Sequence, residues 1–112
     1  MNGFFKIKRR RTLDKMSVNR LEIDLNKLEY NLKQIKQCMG KEIELLPVIK
    51  ANAYGLGAVA LKDLLERNNI KYVAVAMIKE AIELRNHGFK MPIMVLNEIL
   101  EDEVEDIIKY NL

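Results

Sequence analysis

The stretch ELLPVIKANAYGLGAVALKDLL, residues 44–65, holds a strand, a loop and a helix in succession. Residues 44–49 form a short apolar run of the kind found in buried strands, although Pro47 lacks one N–H donor. Two glycines break any period over residues 51–57, which predicts a loop. Apolar residues at helical spacing follow, namely Ala58, Leu61, Leu64 and Leu65. The stretch therefore predicts one βα unit whose strand ends at Lys50.

Three further segments predict additional strands: residues 21–24 alternate between apolar and acidic side chains, and residues 72–76 and 92–96 are apolar runs. Each segment precedes an amphipathic stretch, and this alternation is typical of an α/β fold with a parallel sheet. Four βα units in about 90 residues correspond to half of a (β/α)8 TIM barrel, which needs about 250 residues. We therefore predict a partial (β/α)8 barrel, with a small open α/β sheet as the alternative. Half a barrel leaves two strand edges unpaired, so we expect this chain alone to be a poor independent fold.

The predicted helices have recognisable ends. Asn26 is the predicted N-cap of the first helix, with Glu29 placed to complete a capping box. A helix over residues 79–87 ends at Gly88 and exposes Lys79 and Glu83; it buries Ala81, Ile82 and Leu84. The last predicted helix runs from Glu98 to Tyr110. Carboxylates near its start suit the helix dipole.

Charge divides the chain into two predicted parts. The formal net charge is +3, and residues 1–19 hold six cationic side chains against Asp14 alone, a charge of +5 that leaves −2 for the remainder. We predict a basic, flexible extension over residues 1–19 and the barrel portion over residues 20–112. A slightly negative domain gives no reason to expect a nucleic-acid partner.

The compartment predicted from the sequence is the cytoplasm. The basic segment is followed by Thr12-Leu13-Asp14-Lys15 rather than by the apolar stretch of a secretory signal. No apolar run approaches the roughly 18 residues of a membrane span, so no membrane partner is expected. Cys38 is the single cysteine and permits no internal disulfide. It has no base beside it in sequence, so we expect a packed or surface thiol.

Few other residues suggest chemistry. His87 is the single histidine and stands beside Gly88, where a helix cap is the simplest interpretation. Without a second histidine or a cysteine cluster, no metal site is predicted. Glu80 and Arg85 are interpreted as structural, because charged residues so spaced on a helix usually make surface or packing contacts.

Lys50 is the candidate for covalent chemistry. Barrels keep their catalytic groups at the C-terminal ends of their strands, and Lys50 stands at such an end. Its apolar neighbours Val48 and Ile49 disfavour the charged amine, which would favour Schiff-base formation. The alternative is a surface lysine where a strand runs into solvent, and position alone favours that alternative.

The residues after the lysine change this balance, because VIKANAYGLG at residues 48–57 resembles the pyridoxal-phosphate lysine motif of the alanine racemase family. The resemblance extends in the same order over roughly residues 18–97. Its other blocks are Ile23-Asp24-Leu25, Asn31, Val73-Ala74-Val75-Ala76, Glu80-Ala81, Leu84-Arg85, Gly88, Pro92-Ile93 and Val95-Leu96. One departure is Leu56, where the family usually has histidine.

This resemblance implies an isomerase that uses pyridoxal 5'-phosphate to interconvert L- and D-alanine, the latter for peptidoglycan. Lys50 would form the internal aldimine and act as one of two bases. Tyr54 would contact the cofactor phosphate, while Val48 and Leu96 would line the pocket of its ring. Family members are homodimers, and the second base, a tyrosine, belongs to a separate C-terminal domain of the partner subunit. We therefore expect an N-terminal fragment that is inactive alone.

Two alternatives remain open at this point. The first is a racemase of serine or another small amino acid, because most determinants of the substrate side chain lie outside this segment. The second is a non-catalytic pyridoxal-phosphate-binding barrel protein. That family shares the fold and the lysine, but its motif lacks the Ala51-Asn52-Ala53-Tyr54-Gly55 run.

Overall fold

The computed structural model describes residues 21–112, so the predicted extension over residues 1–19 lies outside the described residues. Its helices are α1 (Leu25–Met39), α2 (Lys50–Tyr54), α3 (Lys62–Arg67), α4 (Ile78–Asn86) and α5 (Val104–Tyr110). Its strands are β1 (Val73–Val75) and β2 (Ile93–Val95). Single 3-10 turns, Ala58–Leu61 and Glu101–Glu103, lead into α3 and α5.

The sheet is parallel, as the alternation of strands and helices predicts. β1 and β2 pair in the register Val73↔Ile93, Ala74↔Met94 and Val75↔Val95. On the other side of β1, Val48 forms an isolated parallel bridge with Ala74. Three of the four predicted strand segments therefore run side by side in one direction.

Two of the strand predictions need correction. Residues 21–24 form no strand, because no described residue pairs with them, and Leu21 is 75% exposed. The strand predicted within residues 44–49 is reduced to a single bridge at Val48. Pro47 contributes its carbonyl oxygen, which accepts from the Ala74 N–H at 2.9 Å, but it has no N–H to extend the ladder.

The N-cap of α1 is Asp24 rather than the predicted Asn26. The Asp24 Oδ1 atom accepts from the backbone N–H groups of Asn26 at 2.9 Å and Lys27 at 3.3 Å. Because the helix begins at Leu25, Glu29 lies too far along it to complete a capping box. Its carboxylate turns to Arg67 and Asn68 instead, and so joins α1 to the end of α3.

The ends of the later helices agree more closely with the sequence. α4 lies within one residue of its predicted bounds, and Gly88 follows it with φ +84°. Lys79 and Glu83 are exposed as predicted, while Ala81 and Leu84 are buried and Ile82 is partly buried. The last helix is shorter than predicted, since its α-helical part begins at Val104.

One face of the sheet is covered and the other is open. A buried cluster joins Val73 and Val75 to apolar residues of α3 and α4, namely Leu64, Leu65, Ala81 and Leu84. On the opposite face Val48 is 44% exposed and Met94 is 51% exposed, on either side of the buried Ala74. The helices of residues 21–112 therefore cover a single sheet face, and none of these helices is long and apolar enough to cross a membrane.

Candidate active site

The C-terminal edge of the sheet brings together three of the four predicted site residues. Lys50 follows the Val48 bridge by two residues, and Leu96 directly follows β2. The Leu96 N–H donates to the Val75 carbonyl at 2.9 Å, which extends the parallel ladder past the strand. Because parallel strands end at a common edge, Val48, Lys50 and Leu96 lie at one side of the molecule.

The apolar members of this group lie on the open face. Val48 shares that face with Met94 through their common neighbour Ala74, and Leu96 comes two residues after Met94. Val48 is 44% exposed and Leu96 is 48% exposed. The edge therefore offers an accessible apolar surface close to a lysine.

The segment after Lys50 is a left-handed helical turn, where the sequence predicted an irregular loop. Ala51, Asn52, Ala53 and Tyr54 have φ between +51° and +55°. Left-handed helical backbone costs roughly 1–2 kcal/mol for each L-residue, because Cβ approaches the following carbonyl oxygen. The strain is therefore concentrated directly beside the candidate lysine.

Hydrogen bonds within the turn and to its neighbours offset this strain. The Ala53 N–H donates to the Ile49 carbonyl at 2.9 Å, and the Gly57 N–H donates to the Asn52 carbonyl at 3.0 Å. The Asn52 side chain accepts from the Ala58 N–H at 2.8 Å, which joins the turn to the segment leading into α3. The turn is thus fixed along its length, with Ala53 buried beneath it.

Glu80 reaches the beginning of the same turn. Its Oε1 atom accepts from the Ala51 N–H at 2.6 Å. Its Oε2 atom accepts from the N–H groups of Ala76 at 2.9 Å and Met77 at 3.0 Å, at the start of α4. The sequence interpretation of Glu80 was a surface or packing contact, whereas the contact at the helix start is that of a glutamate reaching back to cap the helix. Nothing in the sequence indicated the contact with Ala51.

The polar ends of Lys50 and Tyr54 are not engaged by the described part of the chain. Neither the Lys50 amine nor the Tyr54 hydroxyl has a hydrogen-bond or ion-pair partner among residues 21–112. Lys50 is partly buried, whereas Tyr54 is 74% exposed at the end of the turn. Both groups are therefore available to an external ligand.

The other residues singled out in the sequence lie away from this edge. His87 is the C-cap of α4, and its Nδ1 atom lies 2.8 Å from the Glu83 carbonyl oxygen. Cys38 is exposed near the end of α1. Within residues 21–112 no cluster of three histidine, cysteine or acidic side chains is arranged to hold a metal ion.

Comparison with known proteins identifies the family. Residues 23–112 match the family described as alanine racemase, N-terminal domain. This chain belongs to that family. Among curated relatives, the alanine racemase of Clostridium tetani is 48% identical over 92 residues, which are 81% of this chain and 23% of the relative. Alanine racemase 1 of Clostridium acetobutylicum is 45% identical over 91 residues, again 81% and 23%.

Solved structures agree with this assignment. The alanine racemase of Clostridium difficile 630 has a TM-score of 0.77 and 42% identity, with 80% of this chain and 24% of that chain covered. The alanine racemase of E. faecalis has a TM-score of 0.75 and 33% identity, with 80% and 24% covered. The predicted fold, part of a (β/α)8 barrel, is confirmed. The chain spans about a quarter of the length of the relatives that it matches.

Proposed function

We propose that this chain is the lysine-bearing part of a pyridoxal-phosphate-dependent alanine racemase, an isomerase that interconverts L- and D-alanine. The observation that carries the proposal is the Lys50 amine at the C-terminal edge of a parallel sheet, without a partner among residues 21–112, in a chain of this family. The names of the matched relatives favour alanine over serine as the substrate, and favour an enzyme over a non-catalytic binding protein.

The side chains at this edge suit pyridoxal phosphate. The group has an aldehyde, a flat ring and a phosphate. The edge offers an amine and two apolar side chains, and the turn that follows Lys50 ends at the exposed hydroxyl of Tyr54. In this proposal Lys50 binds the aldehyde carbon covalently, Val48 and Leu96 contact the ring, and Tyr54 donates a hydrogen bond to the phosphate. When bound, pyridoxal phosphate supplies an electron sink that makes the substrate α-proton removable.

Lys50 has a second role in the proposal. As a primary amine at the edge of the site, the Lys50 Nζ would take or return the α-proton on one face of the substrate. A base on the opposite face is needed to invert the configuration. The family resemblance assigns that base to the partner subunit of a homodimer, in a part of the enzyme that is not among these 112 residues.

The biological setting forms part of the same proposal. The product D-alanine would serve peptidoglycan synthesis. A cytoplasmic location is favoured by the single cysteine, since proteins of reducing compartments do not depend on disulfides.

Covalent labelling tests the proposal. The protein is incubated with pyridoxal phosphate, supplied with the remaining part of a racemase, reduced with borohydride and mapped by mass spectrometry. We expect the modification on Lys50 and its loss in Lys50→Ala. Lys79→Ala is the matched control, because Lys79 is an exposed lysine of α4. Modification elsewhere with Lys50 untouched, or undiminished cofactor absorbance in Lys50→Ala, would contradict the proposal.

Racemisation by the 112-residue chain alone provides a second test. The proposal places one of the two bases in this chain, and loss of a base typically lowers the rate by factors of about 10²–10⁴. We therefore expect no significant conversion of L-alanine to D-alanine, measured by chiral separation of the products. Conversion at a rate typical of enzymes, about 1–10³ per second, would contradict the assignment of the bases.

A further inference from the structure

Glu80 connects the turn that carries Lys50 to the neighbouring connection between β1 and α4. We propose that Glu80 is a positioning residue for Lys50, and that its carboxylate holds the left-handed turn in the conformation that directs the lysine amine. The inference rests on the proposed role of Lys50. It adds a residue that does not itself contact the cofactor.

The contact acts on the peptide plane that begins at the lysine. The Ala51 N–H belongs to the peptide unit formed with the Lys50 carbonyl, so holding this N–H restricts the backbone torsion ψ of Lys50. The bond from Ala51 N to Glu80 Oε1 is 2.6 Å long, and its acceptor is an ionisable carboxyl group. Fixing the plane therefore limits the directions in which the Lys50 side chain can leave the backbone.

The turn needs such support because its backbone is strained. Ala51 begins the run of positive φ values, with φ +51°. An alanine is more stable at negative φ, so an unsupported turn would tend to relax toward other conformations. Support at the first strained residue opposes this relaxation at the position next to Lys50.

The two carboxylate oxygens of Glu80 have different partners, so its contact with the turn can be distinguished from its capping of α4. Oε2 accepts from the N–H groups of Ala76 and Met77, whereas Oε1 accepts from Ala51. A glutamine has one acceptor oxygen, and placing it at the Oε2 position keeps two of the three bonds. Its NH2 group would then face the Ala51 N–H, donor against donor. Glu80→Gln is therefore expected to retain the cap of α4 and to release the turn.

Hydrogen exchange tests this geometry without the cofactor. With the remaining part of a racemase supplied, we expect the Ala51 amide to exchange about tenfold faster in Glu80→Gln, which corresponds to ~1.4 kcal/mol. The Val73 amide, bonded to the Pro92 carbonyl, reports global opening and should be unchanged. Glu83→Gln removes the same charge from an exposed position of α4 and is the matched control. Unchanged Ala51 exchange in both Glu80→Gln and Glu80→Ala would overturn the inference.

Cofactor capture tests the consequence for Lys50. Labelling by pyridoxal phosphate is trapped with borohydride, and the rate at Lys50 is divided by the rate at the exposed Lys79 in the same sample. Each variant is measured well below its melting temperature. We expect this ratio to fall about tenfold in Glu80→Gln, a change that corresponds to ~1.4 kcal/mol. The ratio should stay unchanged in Glu83→Gln. Adding Ala51→Gly to Glu80→Gln should recover most of the loss, because glycine adopts positive φ without strain.

The rescue distinguishes positioning from capping alone, since glycine at residue 51 cannot repair the start of α4. An unchanged ratio in Glu80→Gln, or a loss that Ala51→Gly leaves unrepaired, would overturn the inference. If Lys50 of the unmodified protein captures no pyridoxal phosphate, the proposed function fails instead. The exchange of the Ala51 amide then still decides whether Glu80 holds the turn.

Discussion

The two ends of α4 hold the backbone through charged side chains of opposite sign. At the N-terminal end, Glu80 accepts from backbone N–H groups. At the C-terminal end, Arg85 donates to backbone carbonyls at 2.8–2.9 Å, namely those of Phe89, Met91, Tyr110 and Asn111. Each charge lies at the end of the helix where the helix dipole favours it.

The two ends hold different kinds of backbone. Glu80 holds a strained and accessible turn next to the candidate lysine. Arg85 joins the backbone between α4 and β2 to the end of α5, beside the buried Phe89. Asn111, with φ +52°, is the one acceptor residue in the left-handed region, so the strain at this end is limited to a single residue. Burial lowers the pKa of Arg85, which has no carboxylate partner among residues 21–112. We infer that the same kind of contact supports the site at one end of α4 and supports stability at the other.

The largest effect on stability is expected at the Arg85 end. Hydrogen bonds to charged groups contribute about 1.5–3 kcal/mol each and are not additive, so we expect Arg85→Ala to lower the free energy of unfolding by about 3 kcal/mol. Urea denaturation measures this change. The capture of pyridoxal phosphate by the folded fraction should be unaffected.

Lys90→Ala is the control for Arg85, because Lys90 is an exposed cation in the connection after α4. Surface changes of this kind usually alter stability by less than about 0.5 kcal/mol. If Arg85→Ala were no more destabilising than Lys90→Ala, the contrast between the two ends of α4 would be lost.

A second prediction concerns the strained backbone at the Glu80 end. At Ala51 we expect Gly to be more stable than Val by about 2 kcal/mol, because glycine tolerates positive φ and a β-branched residue does not. At Lys79, in the right-handed α4, we expect the order to reverse by a few tenths of a kcal/mol, since glycine is the poorer helix former. Both positions are exposed, so burial does not complicate the comparison. If valine were as stable as glycine at residue 51, the turn would carry no strain at this position.

The sequence predicted the parts of the fold that depend on local pattern. The apolar runs located β1 and β2, and the spacing of Ala81 and Leu84 located the buried side of α4. These predictions succeeded because the apolar pattern within a covered parallel strand or an amphipathic helix shows which of its sides are buried. The predicted strand at residues 21–24 failed because a strand also needs a partner, and no described residue supplies one.

The candidate site was predictable only in part. The motif around Lys50 located the edge that carries Val48 and Leu96, whose roles remain predictions. The left-handed turn was not predictable from Ala51 or Ala53, because positive φ is usual for glycine and occasional for asparagine. The contact between Glu80 and Ala51 joins residues 29 positions apart, which no local pattern specifies.

The smallest predicted effect concerns Glu29, an acidic side chain held by other side chains rather than by backbone. Its Oε2 atom accepts from Arg67 at 2.6 Å and its Oε1 atom accepts from Asn68 at 2.9 Å. The hydrogen bond from Arg67, followed by those from Asn68 and Lys33, lowers the pKa of Glu29 from 4.5 to about 2. A lowered pKa in the folded state means that the unfolded chain binds more protons between these two values. The stabilisation is therefore complete above pH 4.5 and is lost as the pH falls toward 2.

We accordingly expect Glu29→Gln to be less stable than the unmodified chain at neutral pH and to approach it near pH 2, as thermal melts across this range would show. The difference should be modest and should shrink in high salt, because the Arg67 side chain is 48% exposed and water screens the pair. Glu42→Gln, at an exposed position before the Val48 segment, is the control and should follow the unmodified chain at every pH. If the melting temperatures of Glu29→Gln and the unmodified chain changed with pH in parallel, the Glu29 charge would not contribute to stability through this contact between α1 and α3.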